Sequence, residues 1–318
     1  MRKSRIPWPV GAGLAVAAGL TLYWAGIPRL VETFYAVPIK LRGKAPGCTW
    51  SRVLTFFRDN MRFVEMLDAV KPTLQVKDFD AALGIEKIVS PRRTFWIPRQ
   101  GAGTPGLELL TYLLADQDWL QEESAGKGIR KGDIVLDCGG HVGVFTNKAL
   151  ELGAEKVIAI EPNPVNIECL RRNFPAEIAS GRVVIVPKGV WSSAGSFTLH
   201  IGVQNSGMGS MLHDQGGGKV EIPTIEIDVL VRELSLPRVD YIKMDIEGAE
   251  REALKGALAT LKRFRPRLML DSYHEPDDMV VLPGIIRQAH AGYRLTCGPC
   301  QPRDADPTTF VPHTTFFD

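Results

Sequence analysis

The run Asp133-Ile-Val-Leu-Asp-Cys-Gly-Gly-His-Val-Gly143 constrains this chain more than any other stretch. Its apolar half reads as a buried strand that stops at a carboxylate, Asp137, and turns through Gly139, Gly140 and Gly143. Glycines allow a tight turn and close backbone approach, so main-chain N–H groups and one acid come against a small ligand. A second apolar strand, Lys156 to Ile160, ends at another acid, Glu161. Strand, glycine turn, helix, strand, acid is the layout of a nucleoside-binding βαβ unit.

The pattern continues downstream. Strands are expected at 133–137, 156–160, 182–186, 240–244 and 267–271, with helices at about 143–152, 164–173 and 248–263. That alternation predicts an α/β fold with a parallel, doubly wound sheet. Strands at 196–202 and 220–228 interrupt it as an inserted hairpin or edge, with Gly207 to Gly218 as a mobile loop and the wider Gln204 to Gly218 loop shaping the pocket. Segments 293–297 and 308–317 read as two late, antiparallel strands. Upstream, Ser51 to Val70 carries apolar residues at helical spacing, 86–89 and 94–97 are short strands, and 106–120 is a second helix. Three regions follow: 1–28, a linker and helical/strand extension at 29–129, and the α/β domain at 130–318.

The formal net charge of +2 argues neither for nor against a nucleic-acid partner, but the lack of basic runs interleaved with aromatics argues against one. Five cysteines, an odd number with two in expected core elements, point to a reducing compartment rather than a disulfide framework. Cys297-Gly-Pro-Cys300 reads as a turn between late strands. Arg2, Lys3 and Arg5 precede an uncharged stretch whose centre, Val10 to Ile27, is long enough to cross a bilayer. The expectation is an N-terminal transmembrane helix, a membrane partner, and a single-pass location with the catalytic domain on the cytoplasmic side.

Ligands of open α/β sheets bind at the carboxyl ends of the strands. Those ends carry Asp137, Gly139, Gly140, His141 and Gly143, then Glu161 and Asn163, then Val190, then Asp245, and finally Asp271 and His274. Glu161 is placed to accept the two ribose hydroxyls of a nucleoside. Asp137 would crowd a pyrophosphate but suits a cationic ligand, which favours S-adenosylmethionine over a dinucleotide. In Asp245-Ile-Glu-Gly-Ala-Glu250, Asp245 opens into the cleft, while Glu247 and Glu250 fit a helix first turn. His274 at the cleft edge has the chemistry of a base near neutral pH.

Val135-Leu-Asp-Cys-Gly-Gly-His-Val-Gly143, Glu161-Pro-Asn163, Tyr241-Ile-Lys-Met-Asp-Ile-Glu-Gly-Ala-Glu250 and Tyr273-His274 together resemble the FkbM-type S-adenosylmethionine-dependent methyltransferases. The likeness covers about residues 130–318. It implies a class I methyltransferase fold, a Rossmann-like seven-stranded sheet whose last strand is antiparallel. It implies O-methylation, often of sugar or polyketide hydroxyls; a lipid-linked acceptor would suit a membrane anchor. Asp137, Gly139, Gly140, His141, Gly143, Glu161, Asn163 and Val190 are then expected to hold the cofactor. Asp245 and His274 are expected to be the base and its orienting partner, in either order. No metal ligand is assigned, although Asp245, Asp271 and His274 offer an O,O,N set for a hard divalent ion. Two other readings remain open: an NAD(P)-linked oxidoreductase, and a non-catalytic membrane-tethered binding module.

Overall fold

A computed structural model of the chain describes residues 37–99, 106–124, 126–202, 207, 209–214, 216–303 and 306–318. Helix α1 (Trp50–Val70) leads into an antiparallel sheet of β1 (Gln75–Asp80), β2 (Ile85–Val89) and β3 (Thr94–Pro98), and α2 (Gly106–Glu123) completes this extension. The first half of the main sheet follows as β4 (Ile134–Cys138), α3 (Val144–Glu151), β5 (Lys156–Ile160), α4 (Pro164–Asn173), α5 (Pro175–Ala179) and β6 (Val183–Val186). A separate small sheet holds β7 (Gly189–Val190), β8 (Gly195–Gly202) and β9 (Gly216–Ile225). After α6 (Ile227–Glu233) the second half runs β10 (Tyr241–Met244), α7 (Glu250–Lys255), α8 (Leu258–Phe264), β11 (Arg267–Asp271) and α9 (Asp278–Ala289). The chain closes with β12 (Leu295–Cys297), β13 (Cys300–Arg303), β14 (Asp306–Pro312) and β15 (Thr314–Phe317).

The main sheet has seven strands in the order β12-β15-β11-β10-β4-β5-β6. Strands β4, β5, β6, β10 and β11 are mutually parallel, and β15 runs antiparallel to both β11 and β12. This is the doubly wound sheet with a reversed last strand that the resemblance implies. Every residue of β4, β10 and β11 is buried, because elements cover both faces, which is why these strands read as near-continuous apolar runs. Leu136, Ile158, Ile242 and Leu268 pack on one face, and Val135, Val157, Tyr241 and Met269 on the other.

Register places the site. Cys138 pairs with both Ile160 and Met244, so the next residues, Gly139, Glu161 and Asp245, emerge side by side at the carboxyl edge. Met244 pairs with Leu270, which brings Asp271 in line beside Asp245.

Among the described residues no helix is long and apolar enough to cross a membrane. Helix α1 has the length but carries Arg52, Arg58, Asp59, Arg62, Glu65 and Asp68. This corrects the expected transmembrane helix, and with it the membrane partner, the lipid-linked acceptor argued from the anchor and the single-pass membrane location. The Val10 to Ile27 stretch on which they rested lies outside the described residues.

The cysteine reading is also corrected. Cys48 and Cys300 form a disulfide across 252 residues, tying the turn before α1 to β13 within a cluster of Ala45, Val53, Phe56 and Phe310. Cys138, Cys169 and Cys297 are free and buried, and the Cys297 thiol donates to the Gly47 carbonyl at 2.9 Å. Closing so long a loop restricts the unfolded chain, worth about 3–5 kcal/mol on a chain-entropy account. Reduction, or Cys48→Ser, is therefore expected to lower the denaturant midpoint and to raise the slope, because the released unfolded chain exposes more surface. An unchanged midpoint on reduction would remove the disulfide from the stability of the domain.

Candidate functional site

A cavity of about 300 Å³ opens at the carboxyl edge of the main sheet. One wall is the glycine turn. The Gly139 and Gly140 N–H groups both donate to the Ile160 carbonyl at 3.0 Å, and Gly143 N–H donates to the Gly140 carbonyl at 2.8 Å. Gly139 has φ +80°, and a Cβ built there would lie 2.0 Å from the Asp245 carbonyl oxygen. Only glycine permits this close crossing between the turn and the Asp245 segment. Gly143, at φ +90°, leads into α3 and seats against Phe174 rather than the cavity.

Glu161 organises the turn from below. Its Oε2 accepts the His141 N–H at 2.8 Å, and its Oε1 accepts the Asn163 N–H at 2.9 Å and an Asn166 Nδ2–H at 3.2 Å. Burial raises its carboxyl above the usual range against these donors. Asn163 accepts the Val165 N–H at 3.0 Å, so it also caps α4. His141 lines the cavity, and burial together with the Lys243 charge pulls its ring down to about 4, so it is neutral at physiological pH.

Of the expected cofactor residues, Gly139, Gly140, His141, Glu161, Asn163 and Val190 line the cavity, whereas Asp137 and Gly143 stand behind it. Asp137 is fully buried, accepts from Thr146 Oγ1 at 2.7 Å and faces Lys243 Nζ at 3.6 Å. Its charge is therefore answered inside the protein. Lys243 is the residue the sequence reading passed over. It is a lysine in an otherwise apolar strand, with Nζ donating to the Gly139 carbonyl at 2.9 Å and lying 3.8 Å from Asp245 Oδ2. Burial opposes its charge, but Asp245 and Asp137 win and hold it protonated.

The opposite wall is acidic. Asp245 is cavity-facing with 41 % of its side chain exposed; desolvation opposes its ionisation, and Lys243 with His274 outweighs it and holds the carboxyl low. Glu247, with φ +53° directly before Gly248 at φ +99°, also lines the cavity. Burial and the Asp245 charge push its carboxyl up to about 8. Glu250 is fully buried and accepts the Ile246 N–H at 2.9 Å and the Gly248 N–H at 3.0 Å. Glu250 thus ties the turn that precedes α7, whose N-cap, Ala249, makes no side-chain bond, and Glu247 is delivered to the cleft. Glu250 also meets His274 Nδ1 at 3.1 Å.

His274 lies behind the acids, with 7 % of its side chain exposed. Its Nε2 is 3.9 Å from Asp245 Oδ1 and 3.7 Å from Glu247 Oε2. Asp271 accepts from Thr314 Oγ1 at 2.8 Å, and burial with the Asp245 charge pushes it up to about 7. Tyr273 lines the cavity and stacks on His313 at a centroid distance of 5.6 Å. From the extension, Leu109, Tyr112, Leu113 and Gln117 complete the wall. The Gly207 to Gly218 loop is only partly within the described residues; Gly209 and Met211 of it line the cavity, and Ser210 Oγ donates to the Glu247 carbonyl at 2.9 Å.

His313 makes a pH dependence testable. Its Nδ1 faces Gln301 Oε1 at 2.9 Å and its Nε2 faces Asp116 Oδ1 at 3.1 Å, two acceptors that call for a doubly protonated ring. Burial works against that charge, but Asp116 raises the ring from 6.5 to about 9. A raised folded-state value contributes stability that is complete below about pH 6.5 and lost as pH rises through about 9. The contribution is on the order of 3 kcal/mol. Wild-type stability is expected to fall across that window more steeply than that of His313→Gln; parallel profiles would contradict the charged ring.

Comparison with known proteins follows the same geometry. A family model described as the methyltransferase FkbM domain matches residues 137–295, half of the chain. The chain is similar to the hexuronic acid methyltransferase AglP of Haloferax volcanii, 30 % identical over 131 residues, covering 41 % of this chain and 52 % of that protein. It is similar to the methyltransferase sdnD of Sordaria araneosa, 26 % identical over 154 residues, covering 39 % of this chain and 60 % of that protein. The chain thus spans between about half and three-fifths of these curated relatives. Among solved structures it is similar to the FkbM methyltransferase of Methylobacillus flagellatus KT, at 17 % identity and TM-score 0.43, covering 89 % of this chain and 65 % of that one.

Proposed function

Because this chain belongs to the FkbM methyltransferase family, we propose that it transfers the methyl group of S-adenosylmethionine to a hydroxyl of a sugar or glycan-type acceptor. The observation that carries this reading is the alignment at the carboxyl edge. The glycine turn and Glu161 face Asp245 and Glu247 across one cavity. The sugar acceptor is supported by the hexuronic acid named for the archaeal relative.

The residues present fit the cofactor. Gly139 keeps the turn against the Asp245 carbonyl where any Cβ would intrude. Glu161 Oε2 accepts one protein donor and has room for a ribose hydroxyl. The Glu161 and Asp245 carboxyl groups line the cavity on opposite walls, which suits a ribose and a cationic methyl donor and opposes a pyrophosphate. That arrangement disfavours the oxidoreductase reading. Gly139, Gly140, His141, Glu161, Asn163 and Val190 would hold the cofactor, while Asp137 and Gly143 shape the turn from behind.

When bound, S-adenosylmethionine supplies an electrophilic methyl group on sulfur. An alcohol becomes a competent nucleophile as its proton leaves. Asp245, ionised beside Lys243 and open to the cavity, leads the acidic cluster that receives this proton, with Glu247 and His274 next to it. The walls from α2 and from Tyr273 hold the acceptor in line and exclude water. The test is transfer of labelled methyl by the full chain to a panel of uronic and neutral sugars. Label appearing as a sugar methyl ether is expected. Retention of the cofactor with no transfer to any hydroxylated acceptor would support the non-catalytic module instead.

A further inference from the structure

We propose that Asp245, Glu247 and His274 form a binding site for a hard divalent cation, Mg²⁺ or Mn²⁺, at the acid wall of the cleft. The role of the ion rests on the methyltransferase reading above; its binding does not.

The observation that singles out this cluster is His274 Nε2. It is a buried ring nitrogen with no hydrogen-bond partner, on a side chain only 7 % exposed, and it points at two carboxylates. Its separations from Asp245 Oδ1 and Glu247 Oε2, 3.9 and 3.7 Å, are too long for hydrogen bonds. They are short enough for two bonds of about 2.0–2.4 Å to meet at one ion, with a small inward movement of the carboxylates for octahedral geometry. One ligand atom from each of the three residues lies within 4.8 Å of the other two.

The supporting residues are arranged as such a site needs. Glu250, held by two main-chain N–H groups, accepts the His274 Nδ1–H, so the Nε2 proton is the one a bound cation would displace, and the Nε2 lone pair would then face the ion. A carboxylate behind a ligating histidine fixes the tautomer and the ring orientation. Asp245 turns its other oxygen, Oδ2, to Lys243, which keeps Oδ1 aimed at the cluster. Two carboxylate oxygens and one imidazole nitrogen, with the cavity side open for water or substrate oxygen, suit Mn²⁺ or Mg²⁺ better than a thiolate-seeking metal. The O,O,N set read from the sequence is thereby revised, because Asp271 is engaged by Thr314 and Glu247 takes its place.

A cation here also resolves a chemical difficulty of the reaction. An acceptor oxygen gains negative character as its proton leaves, and Asp245 and Glu247 alone would repel it. A divalent ion between them would bind that oxygen and polarise its O–H bond, and the proton would pass to a carboxylate oxygen of Asp245 or Glu247 that the ion leaves free.

The test is titration of Mn²⁺ into the full chain, followed by the electron paramagnetic resonance of free Mn²⁺, with S-adenosylhomocysteine binding measured on the same preparation. Expected are one saturable Mn²⁺ site per chain, competition by Mg²⁺, and a nitrogen coupling to the bound ion that disappears in His274→Gln. Glu247→Gln should remove the site, and Glu250→Gln should weaken it by about 10–100-fold. The nitrogen coupling is read in wild type and needs no variant to fold. Free Mn²⁺ persisting at millimolar concentration while the homocysteine product binds would overturn the proposal, because a proton then occupies the cluster. Undiminished Mn²⁺ affinity in a folded Glu247→Gln chain would overturn it equally. Uptake of Mn²⁺ without S-adenosylhomocysteine binding would leave the site standing and contradict the proposed function.

Discussion

Gly139→Ala is expected to cost on the order of 10²-fold or more in methyl transfer, with a matching loss of S-adenosylhomocysteine affinity. The new methyl group would sit 2.0 Å from the Asp245 carbonyl oxygen, a main-chain atom that no side-chain rotation can move aside. The residue also holds φ +80°, where a Cβ costs roughly 1–2 kcal/mol. Relief requires the turn and the Asp245 segment to separate, and these are the two walls of the cavity. Displacement of about 1 Å in such a constellation is enough for the stated loss. Gly132→Ala is the control: it too has positive φ, at +89°, but a Cβ there meets no atom within 4 Å. Equal losses in the two variants would mean that backbone strain alone, and not the crossing at Asp245, sets the effect.

Asp245→Asn is expected to lower kcat by about 10²–10⁴-fold while S-adenosylhomocysteine affinity changes little. The amide keeps the shape of the side chain but neither accepts the hydroxyl proton nor carries the charge that faces Lys243 and His274. The contrast between the variants is the informative part. Gly139→Ala should remove binding and turnover together, and Asp245→Asn should separate them. Unchanged turnover in Asp245→Asn would take this residue out of the mechanism and leave Glu247 as the cavity-facing acid.

The strand ends were readable because their meaning is local. An apolar run that stops at a glycine or an acid marks a carboxyl edge wherever the sheet is parallel, so Gly139, Glu161 and Asp245 could be named before their register was known. What each side chain faces is a cross-strand matter. Asp137 looked like a cofactor ligand because it stands directly before the glycine turn; its charged partner, Lys243, lies 106 positions on and one strand over. A lysine inside Tyr241-Ile-Lys-Met244 was the available signal, since a buried strand admits a charge only when another group answers it. Glu247 was taken for a helix cap because one spacing serves both glutamates. Positive φ at Glu247 and Gly248 turns the first acid outward, and Glu250 ties the turn before the helix instead. Helix α9 was missed because Pro283 sits within it, and β1 because five of its six residues are exposed and show no apolar alternation. The Cys48–Cys300 bond joins ends that only the folded chain brings together.

The central claim is that the glycine turn and Glu161 form an S-adenosylmethionine site. The most direct test is calorimetric titration of the full chain with S-adenosylmethionine and, separately, with NADH. Saturable binding of S-adenosylmethionine, lost in Gly139→Ala, with no heat from NADH is the predicted result. Saturable binding of NADH with none of S-adenosylmethionine would contradict it.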